Sequence, residues 1–153
     1  MDKTKTRKFA IRLIEESASQ DNDVLFKKID PPGQKLYFDI ISAQFCSHYM
    51  FDSEKSARNF FSNMTSRLLR GGYIILTFPD SNVLVKKMRY LHQKTSDGYV
   101  YSNKYYSMKF KNLSFPKNKV YGLEYGFYLE DAVGEKDKLS GTIQYVPEYL
   151  IEM

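Results

Sequence analysis

Two short stretches gather side chains able to do chemistry: Glu15-Glu16-Ser17, and the run Gln44-Phe45-Cys46-Ser47-His48-Tyr49. The second places an amide, a histidine and a tyrosine within six residues. Gln44 can both donate and accept hydrogen bonds, and the rings of His48 and Tyr49 can flank a planar ligand. Alternatively, the two rings merely cover the start of the next helix, and the residues alone leave both readings open. Several chemistries lack their motifs. The chain has neither GxGxxG nor GxxxxGK[ST]. His48 and His92 are its only histidines, with no HExxH or Cys/His cluster around them, so no metal is assigned. No GxSxG elbow supports a Ser-His-Asp triad. The single cysteine, Cys46, excludes an internal disulfide and a multi-cysteine zinc site.

The surrounding pattern is that of elements able to position these stretches. Lys8 to Ile14 alternates Phe9, Ile11 and Leu13 with Lys8 and Arg12, which predicts a strand running into Glu15-Glu16-Ser17. Val24, Leu25, Phe26 and Ile29 predict a short helix stopped by Pro31-Pro32-Gly33. Leu36 to Ala43 is nearly continuous apolar sequence, as in a central parallel strand buried on both faces. Open α/β sheets bind ligands beyond the carboxyl ends of their strands, which is where the Gln44 run then lies. Asp52 or Ser53 can cap a helix whose Ala57, Phe60, Phe61, Met64 and Leu68 share a face, with Arg67 and Arg70 in its last turn. Gly71-Gly72 is expected to end it, and Tyr73 to Phe78 to form the next strand, closed by Pro79. Strand, helix and strand make a βαβ unit with a right-handed crossover. Beyond Pro79 the pattern predicts a basic helix, Ser81 to Leu91, bearing Lys86, Lys87 and Arg89. Antiparallel strands follow at Tyr105–Phe110 and Val120–Glu130, with a charged loop at Gly134–Gly141.

Composition sets the outer bounds. The 153 residues are 42% hydrophobic and 27% charged, enough apolar material for one domain with a core. No apolar run approaches the roughly 20 residues that cross a bilayer, and Met1-Asp2-Lys3-Thr4-Lys5-Thr6-Arg7 leads into no signal-peptide core. A membrane partner is not expected, and a reducing compartment, cytosol or nucleus, fits the cysteine usage. The net charge of +5 is a mild pull toward polyanions. Thirteen tyrosines and eleven phenylalanines, without tryptophan, suit either a β-rich core with tyrosine at its rim or rings that stack on a base.

From Phe38 through Asp39, Ser42, Gln44, Phe45, His48 and Tyr49 to Phe51, the chain resembles the mRNA cap (guanine-N7) methyltransferase family, whose pattern there is FDxxSxQFxxHYxF. The likeness continues through Arg67-Leu68, Gly71-Gly72-Tyr73-Ile74-Ile75, Thr77 and Pro79-Asp80-Ser81. It resumes at Tyr121-Gly122 and Tyr125-Gly126-Phe127-Tyr128-Leu129, and at Val146-Pro147-Glu148-Tyr149-Leu150, similar to the family's VPEYLV. Gln-Phe-x-x-His-Tyr together with Pro-Glu-Tyr-Leu is specific, whereas Gly-Gly-Tyr alone would say only methyltransferase.

The resemblance implies an α/β fold: a partial class I methyltransferase (Rossmann-like) sheet with helices and an appended antiparallel β segment. Residues 1–153 would be one partial catalytic domain, with a Rossmann-like core over about 8–80 and a basic helix and substrate-side β segment over about 81–153. It implies S-adenosylmethionine as methyl donor and no metal. Glu16, Gln44 and Tyr49 would face the cofactor; His48, Tyr49 and Glu148 would hold the cap guanine. Apart from the resemblance, the basic helix with Lys86, Lys87 and Arg89 is expected either to meet the triphosphate or the RNA beyond it, or to be a solvated face. The implied partners are 5'-capped mRNA and other capping enzymes or a missing N-terminal half. The implied location is the nucleus, or the cytoplasm for a viral or parasite-specific enzyme. The chemistry needs no general base, because guanine N7 has an in-plane lone pair and positioning suffices. The family's D-x-G-x-G-x-G strand is absent from these residues, so the chain is expected to be a fragment, one half of a split protein or a degenerate copy. The rival classes are a methyltransferase-like subunit that binds capped RNA or an active partner without catalysis, and a small-molecule methyltransferase.

Overall fold

The computed structural model describes residues 11–114 and 120–129 and the backbone of 143–145. In chain order these form α1 (Asn22–Ile29), β1 (Phe38–Gln44), a 3-10 helix (Ser47–Asp52), α2 (Glu54–Thr65), β2 (Leu68–Thr77) and α3 (Ser81–Leu91). Five short strands follow: β3 (Gln93–Thr95), β4 (Gly98–Ser102), β5 (Tyr106–Phe110), β6 (Glu124–Leu129) and β7 (Ile143–Tyr145). Strands β1 and β2 pair in parallel; β3 to β7 make an antiparallel sheet in sequence order.

The βαβ unit is built by alternation. Ile41 and Ala43 of β1, with Ile74 and Leu76 of β2, point to α2 and pack on Phe60 and Met64. Ser53, not Asp52, caps α2, its hydroxyl accepting from the Ser56 amide at 3.2 Å. The helix stops at Thr65, earlier than Gly71-Gly72 suggests, and both glycines lie inside β2. They accommodate an irregularity: pairing steps from Phe38↔Leu68 to Ile40↔Tyr73, leaving extra β2 residues between. Gly71 has φ +83°, and a Cβ on Gly72 would sit 2.7 Å from the Asp39 carbonyl oxygen. The pair therefore permits close backbone approach rather than ending a helix.

Arg67 also has a role other than helix-end charge. It is buried, pairs with Asp30 at 2.7 Å, donates to the Leu36 carbonyl at 3.2 Å and lies 3.8 Å over the Phe26 ring. One side chain thus ties α1, the entry to β1 and the exit of α2 together. Asn63 of α2 donates to the carbonyls of Ala18 and Gln20, both at 2.8 Å, and pins the segment before α1.

Two expectations about the sheet are corrected. Strand β1 is not central among the described residues: its outer edge has no strand partner, and Ile40, Tyr73 and Ile75, on the face away from α2, are 60%, 70% and 50% exposed. The sequence pattern encodes two covered faces, but α2 covers only one. The strand expected at Lys8–Ile14 is also absent where it is described, over 11–14, because Ile11 and Leu13 have no neighbouring strand to pack with and are exposed. Residues 8–10 and Gly134–Gly141 lie outside the described residues.

Helix α3 occupies Ser81–Leu91 as expected, capped by Asp80, whose carboxylate accepts from the Val83 amide at 3.1 Å. Its Leu84 and Met88 press on Met108, Phe110, Leu123 and Tyr125, the core of the antiparallel sheet. The hairpin β3–β4 is additional to the expected elements; Thr95 pairs with Gly98 around Ser96-Asp97.

Candidate functional site

Chain direction changes sharply after β1. Phe45 adopts φ +52°, a left-handed conformation costly for a residue with a side chain. Its amide still donates to the Thr77 carbonyl at 2.8 Å, so the turn is anchored to the carboxyl ends of both parallel strands. The 3-10 helix then carries His48 and Tyr49 away from the sheet. It is held on the antiparallel side by the Gly122 amide, which donates to the Phe51 carbonyl at 2.8 Å, and by stacking of Phe51 on Tyr121 at 6.2 Å. The turn therefore bridges the two sheets.

Gln44 is exposed at the end of β1. Its Oε1 accepts from the Thr77 hydroxyl, and its Nε2 donates to Ser42 Oγ at 3.1 Å and toward the Ile75 carbonyl at 3.4 Å. Thr77 thus orients the amide, a role that sequence reasoning missed although Thr77 is among the residues that resemble the family; its place opposite Gln44 in the register reveals it. Tyr49 is partly exposed and its ring lies 4.4 Å from that of His48. Tyr125 of β6 is buried, and its hydroxyl is pushed well above its ordinary pKa, first by burial and then by Tyr49.

His48 is only 3% exposed, and both ring nitrogens lack a hydrogen-bond partner, as does the buried hydroxyl of Ser47. Buried polar groups without partners are costly, and each calls for a reason, among them a catalytic role or a partner supplied from outside the chain. Burial lowers the His48 pKa from its ordinary 6.5. The unfolded chain takes up that proton near pH 6.5 while the folded chain resists it, so the contribution to stability is complete above that pH and declines below it. Glu16, Asp30 and Asp97, whose pKa values are lowered by their partners, titrate only at more acid pH. The urea midpoint is therefore expected to fall between pH 7.5 and 5.5, and to fall less in His48→Phe; equal slopes for both proteins would contradict this reading.

The other expected site residues are distributed unevenly. Glu16 is half-buried, but its partners are Lys28 of α1 and the Ser17 amide, and the Lys28 hydrogen bond is the main cause of its lowered pKa. Neither partner belongs to the turn after β1. Lys86 and Arg89 lie on the exposed side of α3, whereas Lys87 turns inward toward the sheet. Glu148 lies outside the described residues. Among the described residues no group of three or more His, Cys, Asp or Glu side chains is placed to hold a metal ion.

The arrangement is thus an oriented amide at the carboxyl ends of parallel strands beside a sealed, unsatisfied imidazole and a half-open tyrosine. The model of the mRNA (guanine-N(7))-methyltransferase domain matches residues 2–152. The chain is 38% identical over 123 residues to an mRNA cap guanine-N(7) methyltransferase of Schizosaccharomyces pombe, covering 79% of this chain and 30% of that protein. Against mRNA cap guanine-N(7) methyltransferase 1 of Oryza sativa subsp. japonica the identity is 38% over 100 residues, 63% of this chain and 26% of the relative. A Saccharomyces cerevisiae mRNA cap guanine-N(7) methyltransferase shows 34% over 125 residues, 78% and 26% respectively. The chain thus spans less than a third of these relatives' length. With its parallel β1–β2 pair and its antiparallel segment, the chain belongs to the mRNA (guanine-N(7))-methyltransferase family.

Proposed function

We propose that this chain supplies the guanine-binding half of an mRNA cap guanine-N7 methyltransferase, with capped mRNA as substrate and S-adenosylmethionine as methyl donor. The observation that carries the reading is His48, sealed beside Tyr49 with both nitrogens unsatisfied at the mouth of the β1–β2 sheet. A purine edge offers hydrogen-bonding groups for such an imidazole, and Tyr49 offers a face to stack on. Bound S-adenosylmethionine supplies an electrophilic methyl on sulfonium. Gln44 and Tyr49, with Glu16, are the residues of this chain proposed to hold it. The Gln44 amide and the Tyr49 ring suit the polar and planar parts of a nucleoside, while the glycine-rich run of the family is not among these residues. The edge of β1, without a strand partner among the described residues, and the exposed face of Ile40, Tyr73 and Ile75 are where a segment bearing that run would pair and pack.

The protein's own work is to hold guanine N7 in line with the methyl and to exclude water, which is catalysis by orientation. Glu148 is proposed to accept hydrogen bonds from the guanine N1–H and N2 amine, favouring the positive charge gained on methylation. Joining this chain behind a glycine-rich segment of a family member gives a completed enzyme in which the roles separate. Tyr49→Ala is expected to weaken both cofactor and cap, and Gln44→Ala mainly the cofactor, each by about 10-fold for one lost contact of about 1.4 kcal/mol. Equilibrium titrations with each ligand test this. Equal loss of cap affinity in both variants, with cofactor affinity intact, overturns the Gln44 assignment.

A further inference from the structure

Three basic side chains among the described residues are withdrawn from solvent: Arg67, Lys87 and Lys109. Arg67 pairs with Asp30, and Lys109 with Asp97. Lys87 has no carboxylate partner among the described residues. Its ammonium instead donates to the Tyr106 hydroxyl and lies 5.1 Å from the centre of the Tyr101 ring and 5.0 Å from that of Tyr106. The tyrosines orient the charge without neutralising it, and the hydroxyl keeps the lysine pKa above its ordinary value, so it is charged at neutral pH. The cage continues into the core of the antiparallel sheet. Tyr106 stacks on Phe127 at 5.8 Å, and Phe127 meets Tyr125 edge-on at 6.3 Å.

We infer that Lys87, Tyr101 and Tyr106 form a nucleotide subsite, in which the ammonium binds a phosphate of the capped RNA and the half-buried rings stack with the base next to it. A held cation lacking a counter-ion, set among aromatic faces, is the chemistry that recognises single-stranded nucleic acid. The inference rests on the cap-binding reading for the identity of its ligand, a capped RNA. It narrows the expected role of α3 from a basic face to one inward lysine, with Lys86 and Arg89 outside the cage.

The test measures binding of the 153-residue chain to three probes: a capped RNA decamer, the same decamer uncapped, and a cap dinucleotide without an RNA body. Lys87→Met keeps the aliphatic stem and removes the charge. It is expected to weaken the capped decamer about 10-fold and to reduce the slope of log affinity against log salt by about 0.7, one single-strand phosphate contact. Tyr106→Ala is expected to weaken binding about 10-fold through lost stacking, and Tyr106→Phe to retain most of it. A Lys87 effect shared by the dinucleotide places the phosphate in the triphosphate bridge; one confined to the decamers places it in the RNA body. If uncapped RNA binds equally well and equally through Lys87, the subsite stands and the cap reading fails. If binding is cap-selective but Lys87→Met, with an unchanged circular dichroism melt, keeps wild-type affinity and slope, the subsite is overturned and the cap reading stands. Absence of any RNA binding by the wild-type chain also overturns the subsite.

Discussion

Glu148→Gln lowers the catalytic efficiency of the completed enzyme on capped RNA by about 10- to 1000-fold at unchanged cofactor affinity. The substitution keeps size and one acceptor oxygen but replaces an anionic carboxylate with a neutral amide. Its NH₂ then faces a guanine donor, so one good hydrogen bond becomes a donor–donor contact. A charge-assisted bond contributes roughly 1.5–3 kcal/mol, and an unpaired buried donor adds to the loss. At about 1.4 kcal/mol per factor of ten, that gives the stated range. Steady-state kinetics on a capped oligonucleotide measure it. A surface carboxylate would leave the efficiency at the wild-type value, and that result would remove Glu148 from the proposed guanine site.

The 153-residue chain by itself is expected to bind S-adenosylmethionine at least about 100-fold more weakly than the completed enzyme, a difference of about 2.7 kcal/mol. The glycine-rich turn of such sheets lets the backbone approach the ligand closely, and this sequence contains no such run. Isothermal titration of both proteins separates the outcomes; low-micromolar binding by the chain alone would show that its own residues complete the cofactor site.

Much of the positioning framework was legible because it rests on local signals. The Ser53 cap and the spacing of Ala57, Phe60 and Met64 specify α2, although Leu68, expected on the same face, lies in β2 and Phe61 is exposed; Asp80 followed by Leu84 and Met88 specifies α3. Where the reading departs from the structure, the deciding interaction is long-range. Gly71-Gly72 has the look of a helix stop, yet its conformation answers to Asp39 on the neighbouring strand. Arg67 has the spacing of a last-turn cation, but Asp30, Leu36 and Phe26 take it into the interior. The apolar run of β1 records a strand covered on both faces, and only α2 among the described residues covers it. The β3–β4 hairpin did carry a local signal, Asp97-Gly98 before Tyr99-Val100-Tyr101, obscured by the polar Gln93-Lys94-Thr95 strand on its other side.

The site itself was legible as residue types but not as states. Gln44, His48 and Tyr49 stand out in the sequence, whereas the lock of Thr77 on Gln44 and the unsatisfied nitrogens of His48 exist only once β2 and the 3-10 helix are in place. Lys87 could not be told from Lys86 by pattern; one helical step decides which ammonium meets Tyr101 and Tyr106.

The most direct test of the account is methyl transfer by the completed enzyme from labelled S-adenosylmethionine to an RNA ending in unmethylated GpppA, with the product digested and its labelled nucleoside identified. Label is expected in 7-methylguanosine at the cap, with a strong preference for capped over uncapped RNA. A completed enzyme that binds the cofactor yet labels only ribose or an internal base, or labels nothing, would contradict it.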